Sequence, residues 1–398
     1  MDASNSTLLL VPLLILAAPI LARLIGRWVR IPVMVFELLL GIVFGPAVLG
    51  LVHDSAFLET MADLGVALLF FMAGSEIQLS SLQGRTGRRA WGGWLLSLAL
   101  GLAVGLIVAP GLDTVIIGIA LCSTALGTLL PVLRDAGVLD RPFGHSVSAV
   151  GAVGEFGPIV AISLVLSGRS PGAALVVLLV FFVIAALLIW RSNLLPHGRL
   201  HRFVESTLHT SGQFAVRLVM AIMFALIVLS LELGIDMLLG AFAAGVLWQA
   251  LIRDAAPPTR HAVESKLEGL AFGFLVPVFF VSTGVQFDLR ALLDAPLTLL
   301  LVPVVTLTLL VVRGLPSMLA APAGASRSER AAVGLLGATG LPIIVVVTTA
   351  GVQQELISST AAAVLVGGGM LSVLLFPLIG MALVGRSTDD EVPAGVGA

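Results

Sequence analysis

The sequence predicts an all-α polytopic membrane protein in which thirteen apolar helices cross the bilayer. Of its 398 residues, 58% are hydrophobic and only 11% are charged, and the mean hydropathy is +1.12. Uncharged apolar runs of about 20 residues, the length that crosses the hydrocarbon layer, recur along the chain. These three observations exclude a soluble globular fold.

The predicted spans follow one another with short loops between them. The first span follows MDASNS, which lacks the basic region of a cleaved signal peptide, so we expect this span to be retained. We expect the loop 191–213 to link two halves and the tail 385–398 to be short and solvated. The spans cover 7–22, 31–49, 58–77, 90–109, 114–133, 143–166, 171–190, 214–231, 235–252, 269–285, 297–319, 331–350 and 357–384.

The basic residues predict the orientation of the chain. Alternate loops, beginning with the loop after the first span, contain 17 of the 21 Lys and Arg residues, whereas the opposite loops contain only Arg169 and Arg290. Because cytoplasmic loops carry the excess of Lys and Arg, this bias places the N-terminus outside and the C-terminus in the cytoplasm. The five Trp residues, which include Trp91 and Trp94, lie near cytoplasmic span ends and are interpreted as interfacial anchors.

Composition also excludes several classes of partner. A net charge of −2 provides no basic domain for a nucleic acid. The single cysteine, Cys122, excludes an intrachain disulfide framework and is interpreted as a small packing residue. No nucleophile–base pair or cluster of metal ligands stands out, so we expect neither an enzyme nor a cofactor. The expected surroundings of the chain are the lipid bilayer.

Glu155 is the strongest candidate for a functional residue. It lies at the midpoint of the apolar sixth span, where a charged carboxylate is costly unless it binds a proton or a cation. Small neighbours such as Gly154 and Gly157 let other backbones approach. Pro158 lacks the N–H that would pair with the carbonyl of Gly154, which leaves that oxygen free as a further ligand. The alternative is a kinked packing helix whose protonated Glu binds a neighbour.

Spans five and twelve carry helix-breaking residues at matching places, and the predicted topology runs the two spans in opposite directions. Such a pair indicates a transport site built from inverted repeats, because broken backbone at this depth must be buried or line a cavity. Ordinary kinks are the alternative reading. The residues concerned are Ser123, Thr124, Gly127 and Pro131 in span five, and Gly337, Thr339, Gly340 and Pro342 in span twelve.

Other charged residues lie closer to the span ends. Arg313, in the inner half of span eleven, stays charged at any working pH and needs a counter-charge, helix C-termini or water, unless it snorkels to the interface. Snorkelling is the favoured interpretation for Arg217. Three acids within about two turns of a span end are interpreted as solvated or structural, and these are Glu37, Asp63 and Glu76.

Five stretches resemble the bacterial monovalent cation–proton antiporters, the group of sodium/proton exchangers and Kef-type potassium efflux systems. The resemblance runs from about residue 31 to 384 and implies a location in the cell inner (plasma) membrane. It also implies an inverted-repeat fold with spans five and twelve crossing at their breaks. The stretches are IPVMVFELLLGIVFGPAVLG (31–50), ADLGVALLFFMAGSEI (62–77), STALGTLLPVLRDAG (123–137), LLGAFAAGVL (238–247) and PVFFVSTGVQFDL (277–289).

The resemblance further implies a homodimer that works as an elevator. Glu155 occupies the place of the acid that alternately holds a proton and the cation, and Thr124 matches the hydroxyl beside it. Arg313 matches the basic residue that steadies the crossing. The implied division is a scaffold of 1–84 and 214–290, an ion-transport core of 85–168 and 291–384, a linker of 169–213 and the tail.

Two departures from the family pattern affect the expected function. The family usually has Asp at the carboxylate position after Asp, Asn or Gln, whereas this chain has Gly154–Glu155. We also expect no nucleotide-binding domain like that of the Kef-type systems after residue 384. With one carboxylate, and with Ser123, Thr124 and the Gly154 carbonyl as further ligands, we expect electroneutral exchange of one Na⁺ for one H⁺. Exchange of K⁺, transport of an organic solute in the space that Gly154 vacates, and a sensor that transports nothing remain alternatives.

Overall fold

The apolar runs form α-helices in the computed structural model of the protein. The structure describes residues 3–26, 32–77, 84–111, 113–166, 171–194, 213–252, 257–293 and 296–389, and no β-strand occurs within these ranges. Three predicted features lie outside the described residues. They are most of the linking loop (195–212), the end of the tail (390–398), and Arg169, which the topology places in a loop outside the cytoplasm.

The helices are numbered in chain order. In the first half of the chain they are α1 Ala3–Ile25, α2 Val33–Phe44, α3 Ala56–Glu76, α4 Gly84–Val108, α5 Asp113–Leu121, α6 Leu126–Asp135, α7 Pro142–Leu166 and α8 Pro171–Leu194. The second half contains α9 Phe214–Glu232, α10 Met237–Ile252, α11 Pro257–Leu270, α12 Val276–Gln286, α13 Leu289–Leu293, α14 Pro296–Leu309, α15 Leu315–Ser317, α16 Arg327–Gly337, α17 Pro342–Gln353 and α18 Ser359–Asp389. Two π-helical turns, Ala271–Leu275 and Leu310–Gly314, and a 3₁₀ turn, Met318–Ala320, interrupt these helices.

Helices long and apolar enough to cross a membrane occur throughout the described residues. Ten segments meet this description, and three shorter apolar helices accompany them at Val33–Phe44, Gly172–Leu187 and Met237–Ile252. Each of them overlaps a predicted span. The protein is therefore a multi-pass membrane protein, while the count of thirteen crossings and their orientation stay predictions.

Two regions predicted as loop or tail are helical instead. The predicted cytoplasmic loop before span ten contains most of α11, which continues through the π-helical turn Ala271–Leu275 into α12. The predicted tail begins inside α18, because that helix continues to Asp389. The sequence after Val384 contains no proline before Pro393 that would end the helix there.

The chain divides into two compact units. The first comprises residues 1–19, 37–77 and 159–286, and the second comprises 20–36, 78–158 and 287–398. In the first unit, α3 and α10 pack at very short range, because a Cβ atom on Gly74 would overlap the carbonyl of Phe242 and one on Gly245 would overlap the carbonyl of Phe71. Glycines at such positions let two membrane helices approach to backbone contact.

The second unit holds α4 to α6, most of α7, and α13 to α18. Its α4 and α5 are again joined through glycine, since a Cβ atom on Gly101 would lie 2.7 Å from the carbonyl oxygen of Gly118. Side chains of α4, α6, α7 and α16 meet in one apolar cluster that includes Trp94, Leu129, Val150 and Leu336. A capping box between Ser326 and Glu329 begins α16 after a short loop. The roles of scaffold and transport core stay predictions for these units.

The charged residues that the sequence placed near span ends differ in their burial. Arg217 and Asp63 are exposed, so a position at the membrane surface fits both. Glu37 is only 5% exposed, so its side chain is not solvated, and the structural interpretation stays a prediction for it. Cys122 is fully buried among apolar residues, as a packing residue would be.

We predict that Gly245→Ala destabilises the protein by roughly 1–3 kcal/mol, because the added methyl group would overpack the contact between α3 and α10. Thermal unfolding of the purified protein in detergent measures the effect. Gly269→Ala is the matched control, since a Cβ atom at that glycine meets nothing within 4 Å. Equal melting temperatures for the two variants would contradict the proposed close packing.

Candidate functional site

Glu155 lies in the middle of α7 and belongs to the second unit. Its side chain is 3% exposed. The helix continues through Pro158, so the proline removes one N–H donor without ending the helix. A carboxyl group is therefore buried halfway along an apolar helix, as the sequence predicted.

The helix of predicted span five is broken, and the break contacts Gly154, the residue before Glu155. Helix α5 ends at Leu121, residues 123–125 are non-helical, and α6 begins after Ala125. Ser123 and Thr124 are fully buried. The Ser123 hydroxyl donates to the carbonyl of Ala120 at 2.8 Å, which ties it back to the last turn of α5.

Predicted span twelve is broken in the same way. Helix α16 ends at Gly337, and α17 begins at Pro342, which suits the first turn of a helix because that position needs no N–H. Thr339 and Gly340 lie in the break itself. The Thr339 hydroxyl donates to the carbonyl of Leu335 at 3.2 Å, and its side chain is fully buried.

Hydrogen bonds join the two breaks directly. The N–H of Ala125 donates to the carbonyl of Thr339 at 2.8 Å, and the hydroxyl of Thr124 donates to the carbonyl of Gly337. A Cβ atom on Gly340 would lie 2.9 Å from the carbonyl oxygen of Ser123, so only glycine permits this approach. Each break thus satisfies backbone groups that the other leaves open, which is what irregular backbone at membrane depth requires.

A third hydrogen bond attaches the first break to α7. The N–H of Thr124 donates to the carbonyl of Gly154 at 2.9 Å. This is the carbonyl that Pro158 cannot bind, so the expectation that it is free as a ligand is wrong. Pro158 leaves the oxygen open, and the broken helix occupies it. The same contact holds Thr124 against the residue that precedes Glu155.

Arg313 is the fully buried charge at this crossing. It lies in the π-helical turn Leu310–Gly314 and is 0% exposed, which excludes the snorkelling alternative. Its Nε donates to Thr124 Oγ1 at 2.8 Å, and its Nη2 donates to the carbonyl of Val150 on α7 at 2.8 Å. Its Nη1 is buried without a hydrogen-bond partner in the described part of the chain. One guanidinium therefore links both broken helices to α7.

The ends of the half-helices explain why the positively charged guanidinium of Arg313 is stable at this crossing. The C-termini of α5 and α16 meet at the breaks, and Arg313 reaches the carbonyl of Gly337 through the Thr124 hydroxyl. Helix C-termini carry partial negative charge and favour a nearby cation. Of the three possibilities for Arg313, a counter-charge, helix C-termini or water, this arrangement supports the helix C-termini.

The place of a side chain at residue 154 is already filled. A Cβ atom there would overlap Nη2 of Arg313 and the hydroxyl of Thr124. The expectation that Gly154 vacates space for a larger ligand is therefore wrong. Gly127 and Pro131 also differ from expectation, since both lie within α6 and not in the break.

Trp91 and Trp94 contribute to the site in a way that the sequence analysis missed. Trp94 is 6% exposed and lies where a Cβ atom on Gly157 would stand, and the rings of Trp91 and Phe156 meet edge to face with centroids 6.0 Å apart. Trp94 is therefore a buried packing residue and not an interfacial anchor. The sequence signal for this packing was the pair of Trp residues on α4 together with the small Gly157 on α7, which leaves room for a ring.

Comparison with known proteins identifies the family. The family model described as the transmembrane sodium/hydrogen exchanger matches residues 13–384. This chain belongs to the sodium/hydrogen exchanger family. The resemblance read from its sequence is thereby confirmed at the level of the family.

Individual relatives are moderately similar to this exchanger-family chain. YjbQ of Bacillus subtilis is 27% identical over 310 residues, which are 72% of this chain and 48% of YjbQ. GerN of Bacillus cereus, named a Na⁺/H⁺–K⁺ antiporter, is 31% identical over 267 residues, which are 64% of this chain and 65% of GerN. The chain thus spans about half the length of YjbQ and just under two thirds of GerN.

A solved structure shows the same fold. The sodium/proton antiporter MjNhaP1 of Methanocaldococcus jannaschii aligns with a TM-score of 0.68 over 96% of this chain and 100% of that chain. The two sequences are 17% identical, so this likeness supports the helical antiporter fold and no residue role.

We predict that Thr124→Val weakens the crossing by roughly 3 kcal/mol or more, because Nε of Arg313 and the carbonyl of Gly337 would both lose a buried partner. Thermal unfolding in detergent measures the loss. Thr124→Ser keeps the hydroxyl and should stay near wild type. Thr308→Val is the matched control, since that hydroxyl bonds only within its own helix, to Val304. A melting temperature for Thr124→Val equal to that of Thr308→Val would contradict the bridging role.

Proposed function

We propose that the protein is a secondary active transporter that exchanges a monovalent cation, Na⁺ in preference to K⁺, for H⁺ across the membrane. The observation that carries this proposal is the buried Glu155, which directly follows Gly154, the residue that the first helix break contacts. A carboxyl group at that depth is stable when a proton or a cation neutralises it. Membership in the exchanger family and the antiporter fold support the same reaction.

Glu155 is the group that holds the proton and the cation in turn. The cation takes oxygen ligands, and the Ser123 hydroxyl at the same break is the second candidate ligand. Thr124 has a different role, because its hydroxyl accepts a hydrogen bond from the Arg313 guanidinium at 2.8 Å. Because this oxygen faces the positive charge of Arg313, we do not assign it to the transported cation. We propose that the Thr124 hydroxyl keeps Arg313 in position and that the carbonyl of Gly154 keeps Thr124 in position.

The charge of the site predicts the stoichiometry. With a proton bound, Glu155 is neutral and Arg313 contributes one positive charge. With Na⁺ bound, the carboxylate and the metal ion cancel, and Arg313 again contributes one positive charge. A guanidinium does not release its proton at working pH. The two loaded states therefore carry equal charge, which corresponds to electroneutral exchange of one ion for one proton.

Potassium is the alternative cation. GerN, which is 31% identical to this chain, is named for both Na⁺ and K⁺. An organic solute is less well supported, because Arg313 and Thr124 fill the space beside Gly154 that motivated it. We further propose that transport occurs by an elevator-type movement and that the protein is a homodimer. It lies in the plasma membrane with its N-terminus outside.

We predict that Glu155→Gln abolishes proton movement driven by Na⁺, K⁺ or Li⁺ in proteoliposomes, because the amide cannot alternate between a proton and a cation. A pH-sensitive dye inside the vesicles measures the flux, and the wild type should respond most strongly to Na⁺. A larger K⁺ response would favour the alternative.

Glu37→Gln is the matched control for this experiment. Glu37 is also a buried acid, at 5% exposure, but its side chain lies on α2 in the other unit. We expect that variant to retain exchange. Activity that survives in Glu155→Gln and disappears in Glu37→Gln would place the carrier carboxylate on α2.

We predict that the rate of exchange is insensitive to membrane potential, because the two loaded states carry the same charge. Proteoliposomes with an imposed potassium-diffusion potential of either sign test this with Na⁺ as the transported ion. A rate that changes severalfold when the potential is reversed would show that a second titratable group takes part.

A further inference from the structure

Ser372 lies on α18 and contacts the second helix break. Its side chain is 0% exposed. The hydroxyl donates to the carbonyl of Gly369 on its own helix at 2.7 Å and accepts the N–H of Gly340 at 3.4 Å. Ser372 therefore joins α18 to the break by a hydrogen bond.

The Gly340 N–H belongs to a peptide unit that is held at both ends. A trans peptide unit is planar, so its N–H and its C=O point in fixed, opposite directions. The unit between Thr339 and Gly340 lies in the second break. Its carbonyl accepts the N–H of Ala125 at 2.8 Å, and its N–H donates to Ser372. Together the two bonds fix the orientation of this peptide plane between the first break and α18.

The first break is attached to α7 in a comparable way. There the N–H of Thr124 donates to the carbonyl of Gly154 at 2.9 Å. The acceptor on α7 is backbone, which no substitution removes, whereas the acceptor on α18 is a hydroxyl. The bond at the second break is also the longer of the two. The orientation of the second break therefore depends on a side chain.

This peptide unit is connected to the proposed cation site by a short route. Ala125, which binds its carbonyl, is two residues from Ser123, whose hydroxyl is the second candidate ligand. The backbone of Ser123 also lies against the second break, since a Cβ atom on Gly340 would lie 2.9 Å from the Ser123 carbonyl oxygen. A rotation of the peptide unit would therefore displace Ser123.

We propose that Ser372 is a positioning residue of the transport site, which sets the affinity for the transported cation by orienting the peptide unit 339–340. It acts on the site through Gly340 and Ala125. Without its hydroxyl, the Gly340 N–H loses its acceptor at membrane depth, and the peptide unit rotates towards another acceptor or water. The inference rests on the proposed function for its effect on transport, whereas the effect on the breaks does not.

The experiment compares Ser372→Ala with Ser97→Ala in Na⁺-driven proton flux in proteoliposomes. Ser97 on α4 is the matched control, because it is also 0% exposed and donates within its own helix, to the carbonyl of Gly93 at 2.9 Å. Ser372→Ala should raise the KM for Na⁺ by roughly fivefold, the equivalent of one lost hydrogen bond, and leave the maximal rate near that of the wild type. Ser97→Ala should keep the wild-type KM.

Ser372→Thr is the conservative variant, since it keeps the hydroxyl and a threonine in a helix can also donate to the carbonyl one turn back. We expect it to retain the wild-type KM. A wild-type KM in Ser372→Ala, or equal KM values for Ser372→Thr and Ser372→Ala, would overturn the proposal. A loss of maximal rate at unchanged KM would do so as well, because that is the effect of a merely structural residue.

Hydrogen–deuterium exchange in detergent tests the peptide unit independently of transport. In Ser372→Ala the amides of 338–341 should exchange severalfold faster than in the wild type, and so should the amide of Ala125. Ser97→Ala should show wild-type exchange at both breaks. Unchanged exchange at both breaks in Ser372→Ala would contradict the orienting role. If the alanine variant does not fold, Ser372→Cys takes its place, because a thiol is a weak acceptor and should shift exchange in the same direction.

The two measurements separate failure of this inference from failure of the proposed function. If the wild type moves no protons with Na⁺, K⁺ or Li⁺, the proposed function fails, and hydrogen exchange alone decides the role of Ser372. If the wild type transports and the variants Ser372→Ala and Ser97→Ala behave alike, the function stands and the inference fails.

Discussion

The burial of the Arg313 guanidinium is the constraint on which the architecture of this site depends. A guanidinium stays charged at any working pH, and a buried charge is stable only with hydrogen-bond acceptors around it. Here the acceptors are the Thr124 hydroxyl and the carbonyl of Val150. Because the hydroxyl also donates to Gly337, both broken helices and α7 are held by one side chain. The breaks occur where the carbonyl groups at the ends of the half-helices can stabilise this charge.

The breaks in turn are stable because each one satisfies the other. Unpaired backbone groups are costly inside a membrane, so a single broken span would need water or a ligand at its break. The bond from the Ala125 N–H to Thr339 and the bond from the Thr124 hydroxyl to Gly337 join the two breaks without closing the helices. The residue before Glu155 is in turn held by the first break, through the bond from the Thr124 N–H to the carbonyl of Gly154.

Much of this was readable from the sequence, and the remainder depended on contacts between distant segments. The position of Glu155 and both breaks followed from charge and from Gly and Pro, because these residues act locally on the helix. Sequence placed Gly127 and Pro131 at the first break, whereas both lie in α6, since the break is determined by the partners of Thr124. The occupied Gly154 carbonyl and the reach of Arg313 involve residues more than 25 positions apart, which no local pattern encodes.

Arginine in place of lysine at the crossing restricts which groups of the site can titrate. A buried lysine can lose its proton, and a site with lysine and a carboxylate then has two groups that titrate. Arginine does not, so under the proposed function the carboxyl of Glu155 is the group that exchanges protons at this crossing. The guanidinium also lies against bare backbone of α7, at the position where a Cβ atom on Gly154 would stand. Under the proposed function, Arg313 therefore supplies the permanent charge of the crossing, and Glu155 supplies its single exchangeable proton.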